Sequence, residues 1–364
     1  MKINKGLKSV ITVFILTLLL ASCLIETAKE PKKQYVTIFS DCLTKKDETI
    51  FKTFTKKKHI YVKIHFFPTE ELLRKIKVEG VNTNADVIIL KSIVSSYKAQ
   101  KLGLYNTINS WKLDELVPFT LRGKNHSWYG IGLDPYVLVT KKDTKEEPEK
   151  YAHLIEKEYV NKWTTDIIEE EDILPLYAPI VRKKKRINAV NWYTKFNENQ
   201  VYLGGEIKEL LKPNFYLTYL SNYVKNIESN DSLNEKYYPL FLNQSTTGSY
   251  FNLHTAGVVK QARNFENAQL LIEYIASVRM NEKLNYVWKT VPISLHKRVH
   301  PYEYQNLDFQ TYKGNVSKQT VNYKYLRRII KKTKTEKLIE VYYEPITITV
   351  ADSLTEIDST LTVE

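Results

Sequence analysis

The sequence has few of the residues and motifs that most often carry catalysis or cross-links. Its 364 residues include only two cysteines, which excludes a framework of disulfide bonds. The seven histidines show no metal-ligand spacing, and we expect His254, on a predicted strand, to be packed or hydrogen-bonded. The Gly-x-Ser-x-Gly elbow, the Gly-x-x-x-x-Gly-Lys phosphate loop and the His-Glu-x-x-His zinc motif are absent. We therefore do not expect an enzyme.

One apolar run stands near the N-terminus, at residues 10–20, behind three lysines. It is roughly half of the ~20 residues that a membrane-spanning helix needs, so residues 1–22 are predicted to be a secretory signal peptide. The sequence Leu-Ala-Ser-Cys that ends at Cys23 resembles the lipobox of bacterial lipoproteins. This resemblance implies an exported protein, lipid-anchored through Cys23 on the periplasmic or cell-surface side of a membrane. Cys42 is then alone, and its role as a reactive thiol, a soft-metal ligand or a buried residue stays open.

The charge of the chain gives no sign of a nucleic-acid partner. The formal net charge is +13, but lysines alternate with glutamates along most of the sequence, which is typical of solvated surfaces. Hydrophobic residues make up 43% of the chain, enough for a packed core. A chain of this length favours two lobes, and we expect a monomer.

Strand and helix patterns alternate in the first third of the chain. Residues 35–39, 60–66 and 85–90 are predicted strands separated by helices, the rhythm of a parallel α/β sheet. Ligands of such sheets bind beyond the carboxyl ends of the strands, which here are the loops 40–44 and 91–92.

Two later segments predict crossings between lobes. Residues 128–140 read as a strand interrupted around 130–135, and residues 251–254 as a strand that pauses at Gly257 before a helix around 268–275. With crossings near 130–134 and 248–253, the first lobe is discontinuous. The predicted organisation is a signal peptide (1–22), lipidated cysteine and tether (23–33), first lobe (34–130 plus 248–297), second lobe (131–247 plus 298–345) and acidic tail (346–364).

Four segments of the chain carry a family resemblance: "TEELLRKIKVEGVNTNADVIIL", "KAQKLGLYNTI", "WYGIGLDPYVLV" and "SYFNLHTAGVVKQARNFENAQLL". They resemble segments of the ferric-ion-binding proteins, the solute receptors of bacterial iron ABC importers. The resemblance implies an α/β, two-lobe periplasmic-binding-protein-like fold with a hinge and an interlobe cleft. It also implies an ABC transporter permease as partner and Fe(III) as a possible bound metal.

The metal positions of that family are altered here. Its two adjacent tyrosines fall on Asn222 and Tyr223, its carboxylate on Lys91 and its arginine on Asp134. A protonated lysine cannot ligate iron and repels the cation. The charge exchange implies either a metal site shifted toward Asp134 or a ligand with its own negative charge near Lys91.

The resemblance therefore implies a modified set of ligand contacts. The expected contacts are Tyr223, Asn222, Asp41, Lys91 and Asp134, with Tyr223 and Asp134 as metal ligands. Tyr219 or Tyr250 could supply a second phenolate. Three of these contacts also have a structural alternative. Tyr223 could be an aromatic residue packed at the end of a strand, Lys91 could be a solvated lysine, and Asp41 could cap a helix or a turn.

Two functions fit these residues. The first is a lipid-anchored, extracytoplasmic solute-binding protein of an ABC importer, for ferric iron or an iron chelate. The second is a binding-protein-like interaction or sensor lipoprotein whose metal site is altered or lost, with an anionic ligand.

Overall fold

The computed structural model describes residues 33–181, 186–202, 206–293 and 309–342. The predicted signal peptide, Cys23, nearly all of the tether and the acidic tail lie outside these residues. Within the described ranges, no helix is both long and apolar enough to span a bilayer.

The described chain alternates strands and helices. Its strands are β1 (Gln34–Ser40), β2 (Ile60–Phe66), β3 (Val87–Leu90), β4 (Tyr129–Lys141), β5 (Trp163–Thr165), β6 (Phe215–Tyr219), β7 (Tyr237–Leu240) and β8 (Phe251–Val258). Its α-helices are α1 (Lys52–Lys58), α2 (Thr69–Glu79), α3 (Ile93–Lys101), α4 (Trp111–Leu116), α5 (Glu170–Val181), α6 (Arg186–Glu198), α7 (Ile207–Leu210), α8 (Leu220–Tyr223), α9 (Asp231–Asn234), α10 (Phe265–Ala276), α11 (Val278–Trp288), α12 (Val316–Gln319) and α13 (Tyr323–Tyr342). A 3-10 helix, Lys45–Phe51, runs directly into α1.

All the described strands belong to one mixed sheet. Its order is β2-β1-β3-β8-β4-β6-β5, and β7 pairs with β4. Strand β1 is parallel to β2 and β3, as the alternation of strands and helices predicts. Strand β8 runs antiparallel between β3 and β4, and β4 runs antiparallel to β6. The α/β class is confirmed, with a mixed rather than a purely parallel sheet.

Strand β4 connects the two halves of the sheet. Its residues 129–135 pair with β8, and from Tyr136 onward it pairs with β6 and β7. The predicted interruption of this strand is wrong, because β4 is continuous and absorbs the irregularity as a bulge between Gly130 and Gly132. A Cβ at Gly132 would lie 2.3 Å from Asn285 Oδ1, so the glycine allows a close approach rather than a break.

Strand β8 provides the second connection. The predicted pause at Gly257 is also wrong, since β8 continues to Val258 and α10 begins at Phe265. A Cβ at Gly257 would lie 2.5 Å from the ring of Tyr105, so close packing rather than a turn requires glycine there. The lobe boundaries deduced from the sequence stay a prediction.

The core lies against both faces of the sheet. Every residue of β3 is buried, as expected for a strand covered on both sides. The apolar stripe of α2, Leu72, Leu73 and Ile76, is buried as predicted.

Candidate interlobe binding site

A cavity of about 360 Å³ lies where the two halves of the sheet meet. It opens beyond the carboxyl ends of β1 and β3, the edge at which the sequence predicts ligand binding. The lining residues are Cys42, Lys91, Asp134, Asp166, Asp172, Tyr219, Ser221, Asn222, Lys225, Asn252, His254, Trp288 and Thr290. The cavity thus combines carboxyl groups, lysines and a phenol.

The loops after β1 and β3 are held together by Asp41. Its Oδ1 accepts the backbone N–H of Lys91 at 2.8 Å, and its Oδ2 accepts the hydroxyl of Thr69 at 2.8 Å. Burial raises the pKa of this carboxyl, and the hydrogen bonds from Lys91 and Thr69 oppose that rise. Asp41 is 8% exposed and does not line the cavity. It positions Lys91, which does.

Cys42 lines the cavity beside this loop. Its Sγ lies 3.4 Å from the Ser40 hydroxyl, and its backbone N–H donates to the same oxygen at 3.1 Å. Burial, and then the neighbouring Asp41, raise the pKa of the thiol well above its usual range. The group is therefore a protonated thiol, which disfavours a role as a metal-binding thiolate.

A tyrosine and an aspartate supply hard oxygen donors to the cavity lining. The Tyr219 hydroxyl donates to Asp172 Oδ1 at 3.0 Å and accepts from Asn252 Nδ2 at 3.3 Å. The rings of Tyr136 and Tyr219 lie 4.9 Å apart. Burial raises the pKa of Tyr219 well above its usual range and also raises that of Asp172. A cation that binds there must displace the phenolic proton.

Asp134 lies at the point where β4 changes partners. Its two oxygens accept the backbone N–H of Ser221 at 3.1 Å and the Ser221 hydroxyl at 2.6 Å. Burial nevertheless raises its pKa to about 7, because these bonds and the charge of Lys225 do not offset desolvation. This carboxyl therefore holds its proton more strongly than an exposed aspartate, and an approaching cation would favour its ionised form.

The two residues that match the tyrosine pair of the family are neighbours in helix α8 and point in different directions. Asn222 lines the cavity, and its Nδ2 donates to Asp166 Oδ2 at 2.9 Å. Tyr223, about 100° further round the helix, is outside the lining, and its hydroxyl donates to Asn234 Oδ1 at 3.4 Å. The structure thus brings Asn222, Lys91 and Asp134 to the cavity and leaves Tyr223 and Asp41 beside it.

His254 lines the cavity from strand β8. Its ring packs edge-on against Trp288 with centroids 4.7 Å apart, and its Nδ1 is buried without a hydrogen-bond partner among the described atoms. Burial, then Lys225 and Lys91, lower its pKa to about 3. Its packed position agrees with the expectation from the sequence. Its place in the lining was not predicted.

Comparison with known proteins gives relatives in iron uptake. No protein-family model matches the chain. The chain is 25% identical over 266 residues to Iron uptake protein A1 of Synechocystis sp., a match that covers 68% of this chain and 72% of that protein. A segment of 74 residues is 32% identical to Iron uptake protein A2 of the same organism and covers 21% of it.

Solved structures agree with this sequence match. The Trichodesmium protein IdiA (FutA), in complex with iron and citrate ligands, superposes with a TM-score of 0.74 at 21% identity, covering 82% of this chain and 99% of that one. The ferric binding protein from Campylobacter jejuni gives a TM-score of 0.71 at 22% identity, covering 82% and 99%. The chain has the fold of the ferric-binding proteins. The two-lobe fold and the resemblance inferred from the sequence are confirmed.

The donor set of this cavity differs from the one that the ferric-binding resemblance implies. Among the described residues, no group of three or more histidine, cysteine or acidic side chains is arranged to hold a metal ion. Lys91 and Lys225 add two exposed ammonium groups to the lining. Carboxyls, a phenol and two ammonium groups therefore line the same cavity, which suits a ligand that carries both a positive and a negative centre.

Proposed function

We propose that the chain is the lipid-anchored solute-binding protein of an ABC importer, and that its cargo is ferric iron carried as an anionic chelate. The observation that carries this proposal is the Tyr219–Asp172 pair, which lines the interlobe cavity together with Lys91 and Lys225. Its sequence relatives are named iron uptake proteins, and one structural neighbour holds iron and citrate.

The donors explain why a chelate fits better than the bare ion. Phenolate and carboxylate oxygens are hard donors that suit Fe(III), and Tyr219, Asp172 and Asp134 supply them. Because the described residues form no group of three candidate His, Cys, Asp or Glu ligands, oxygens of the chelator would complete the coordination. The two lysines would then offset the negative charge of the chelator.

The position of the cavity suits transport. Strands β4 and β8 join the two half-sheets, and the cavity lies between those halves. A ligand buried there would contact both lobes, so binding would favour the closed arrangement that a permease could recognise. Anchoring through Cys23 would keep the loaded protein near that permease.

Ferric citrate titration of the purified protein tests the cargo. We expect a saturable tyrosinate-to-iron charge-transfer band that Tyr219→Phe abolishes and Tyr223→Phe leaves in place. The two variants form a matched pair, because each removes one hydroxyl next to α8. Loss of the band in Tyr223→Phe alone would favour the sequence-based ligand instead. No band and no saturable binding in the wild type would remove ferric iron as the cargo.

The lysines also support a second candidate, a receptor for an anion without iron. Lys91 stands where the family resemblance implies a carboxylate. Thermal unfolding with citrate alone and with ferric citrate separates the two candidates. A ligand at a hundredfold excess over its Kd adds about 2.7 kcal/mol to the free energy of unfolding. Equal stabilisation by the two ligands would favour the anion receptor, and stabilisation by ferric citrate alone would favour the iron carrier.

The anchor has its own test. Cys23→Ser should leave the protein unlipidated and move it from the membrane fraction to the soluble fraction. Unchanged processing and fractionation would refute the lipoprotein assignment without affecting the cargo.

A further inference from the structure

The edge of the sheet at which the described chain begins is strongly basic. Residues 49–69 contain five lysines and no aspartate or glutamate. Lys56, Lys57 and Lys58 form the last turn of α1 and are all exposed. Two residues later the chain enters β2, whose first residue, Ile60, pairs with Gln34 at the start of β1. The basic turn therefore lies next to the N-terminus of the fold.

Two tyrosines are exposed at the same edge. Tyr35 and Tyr61 are 36% and 41% exposed, and their ring centroids lie 5.4 Å apart. Lys63 Nζ lies 4.2 Å from the centroid of the Tyr35 ring, and Lys33 Nζ lies 5.8 Å from that of Tyr61. Lysine and tyrosine side chains with apolar bodies and polar tips are the residues that favour the interface between lipid headgroups and water.

The distance along the chain to the proposed anchor is short. Lys33 follows Cys23 by ten positions, and a stretch of that length spans at most about 35 Å. If Cys23 is lipidated, this edge of the first lobe cannot move far from the bilayer surface. Lysines held within about one Debye length (~8 Å) of an anionic surface are attracted to it.

We propose that Lys56, Lys57, Lys58, Lys63, Tyr35 and Tyr61, named here the N-terminal patch, dock the first lobe on a membrane surface of anionic lipids. The proposal uses the lipid anchor proposed above and is independent of the cargo. Strand β1 runs from the patch to the cavity side of the sheet, and its seven residues span roughly 20 Å. Docking through the patch therefore turns the cavity away from the bilayer, toward the medium from which cargo arrives.

Lysine labelling on vesicles tests the docked surface. The lipidated full chain is incorporated into vesicles of phosphatidylcholine alone or of phosphatidylcholine and phosphatidylglycerol at 7:3, and is then acetylated and analysed by mass spectrometry. We expect acetylation of the four patch lysines to slow at least threefold in the anionic vesicles. Lys142 and Lys145, exposed in the loop after β4, serve as internal controls and should not change. Protection should disappear in 0.5 M NaCl, because salt screens the attraction.

Variants and membrane sources distinguish the alternatives. Combined Lys56→Gln, Lys57→Gln and Lys58→Gln substitutions should abolish the protection of Lys63, whereas Lys142→Gln with Lys145→Gln should retain it. Equal labelling of the patch in both kinds of vesicle would overturn the proposal. Protection in native membranes but not in anionic vesicles would overturn it in favour of a protein partner.

The experiment distinguishes a wrong lipid anchor from a wrong docking surface. A chain that does not sediment with phosphatidylcholine vesicles lacks the anchor. The patch of such a chain is still tested, because its sedimentation with the 7:3 vesicles at low salt supports docking and its absence refutes it.

Discussion

His254 should make the free energy of unfolding depend on pH in a way that one substitution removes. The folded protein holds this ring neutral down to a pKa of about 3, because it is buried and faces Lys225 and Lys91. In the unfolded chain a histidine takes up its proton near pH 6.5. The unfolded state therefore binds the proton first as the pH falls, so stability is lost between about pH 6.5 and pH 3.

The size of the effect follows from this difference in pKa. At pH 5 the unfolded chain gains about 2 kcal/mol from protonation of this histidine, and at pH 8 it gains almost nothing. His254→Phe removes the titrating group and the Nδ1 that has no partner, while it keeps a ring against Trp288. We expect wild type and variant to differ by less than about 1 kcal/mol at pH 8. The free energy of unfolding of the variant, measured relative to the wild type, should be about 2 kcal/mol higher at pH 5 than at pH 8.

Urea unfolding followed by far-ultraviolet circular dichroism, with EDTA present to remove metals, measures this difference from pH 4.5 to pH 8. His254→Gln is the companion variant, because it also cannot titrate but loses the aromatic contact. The difference in free energy of unfolding between His254→Gln and the wild type should change with pH in the same way as for His254→Phe, whatever its size at pH 8. Parallel stability profiles for the wild type and both variants would refute the assigned protonation state of His254.

Three further outcomes follow from the packing. Gly257→Ala should lower the free energy of unfolding by about 1–3 kcal/mol, since the new Cβ would meet the Tyr105 ring at 2.5 Å; an unchanged urea midpoint would contradict this contact. Glu171→Gln should raise the apparent Kd for ferric citrate about fivefold in calorimetry, because it removes the carboxylate of α5 that accepts from Lys98 of α3 at 2.9 Å beside the cavity. An unchanged Kd would show that this contact does not contribute to ligand binding. Cys42 should react with iodoacetamide at pH 8 much more slowly in the folded protein than in urea, because burial raises its thiol pKa; equal rates would show a thiol accessible as thiolate.

The sequence predicts best the features that depend on neighbouring residues in the chain. The alternation of β2, with Val62 and Ile64 inward and Lys63 outward, gives its bounds as Ile60–Phe66 without error. Gly132 and Gly257 predict interruptions that the strands do not have, because glycine in a strand marks close packing as well as turns. Only the side chains that pack on them, Asn285 of α11 on Gly132 and Tyr105 on Gly257, distinguish these two uses.

The same limit applies to the site. Lys91, directly after β3, and Asp134, within β4, both line the cavity, and their role in binding stays a prediction. Tyr223 does not line the cavity, because successive side chains of a helix point about 100° apart and in α8 it is Asn222 that reaches the cavity. Asp172 lies in an acidic run that reads as a solvated helix, and only the packing of α5 against the sheet brings it beside Tyr219.

The pKa shifts in the cavity constrain the charge of whatever binds there. Burial raises the pKa values of Asp134, Asp166 and Asp172, and the positive charges of Lys225 and Lys91 oppose the rise at Asp134 and Asp172 respectively. A bare anion would pair with those same lysines, and its negative charge would raise the carboxyl pKa values further. A bare Fe(III) ion would lower them but would lie against two ammonium groups. A ferric chelate meets both requirements, because its metal can face Tyr219 and the carboxyls while its carboxylates face the lysines.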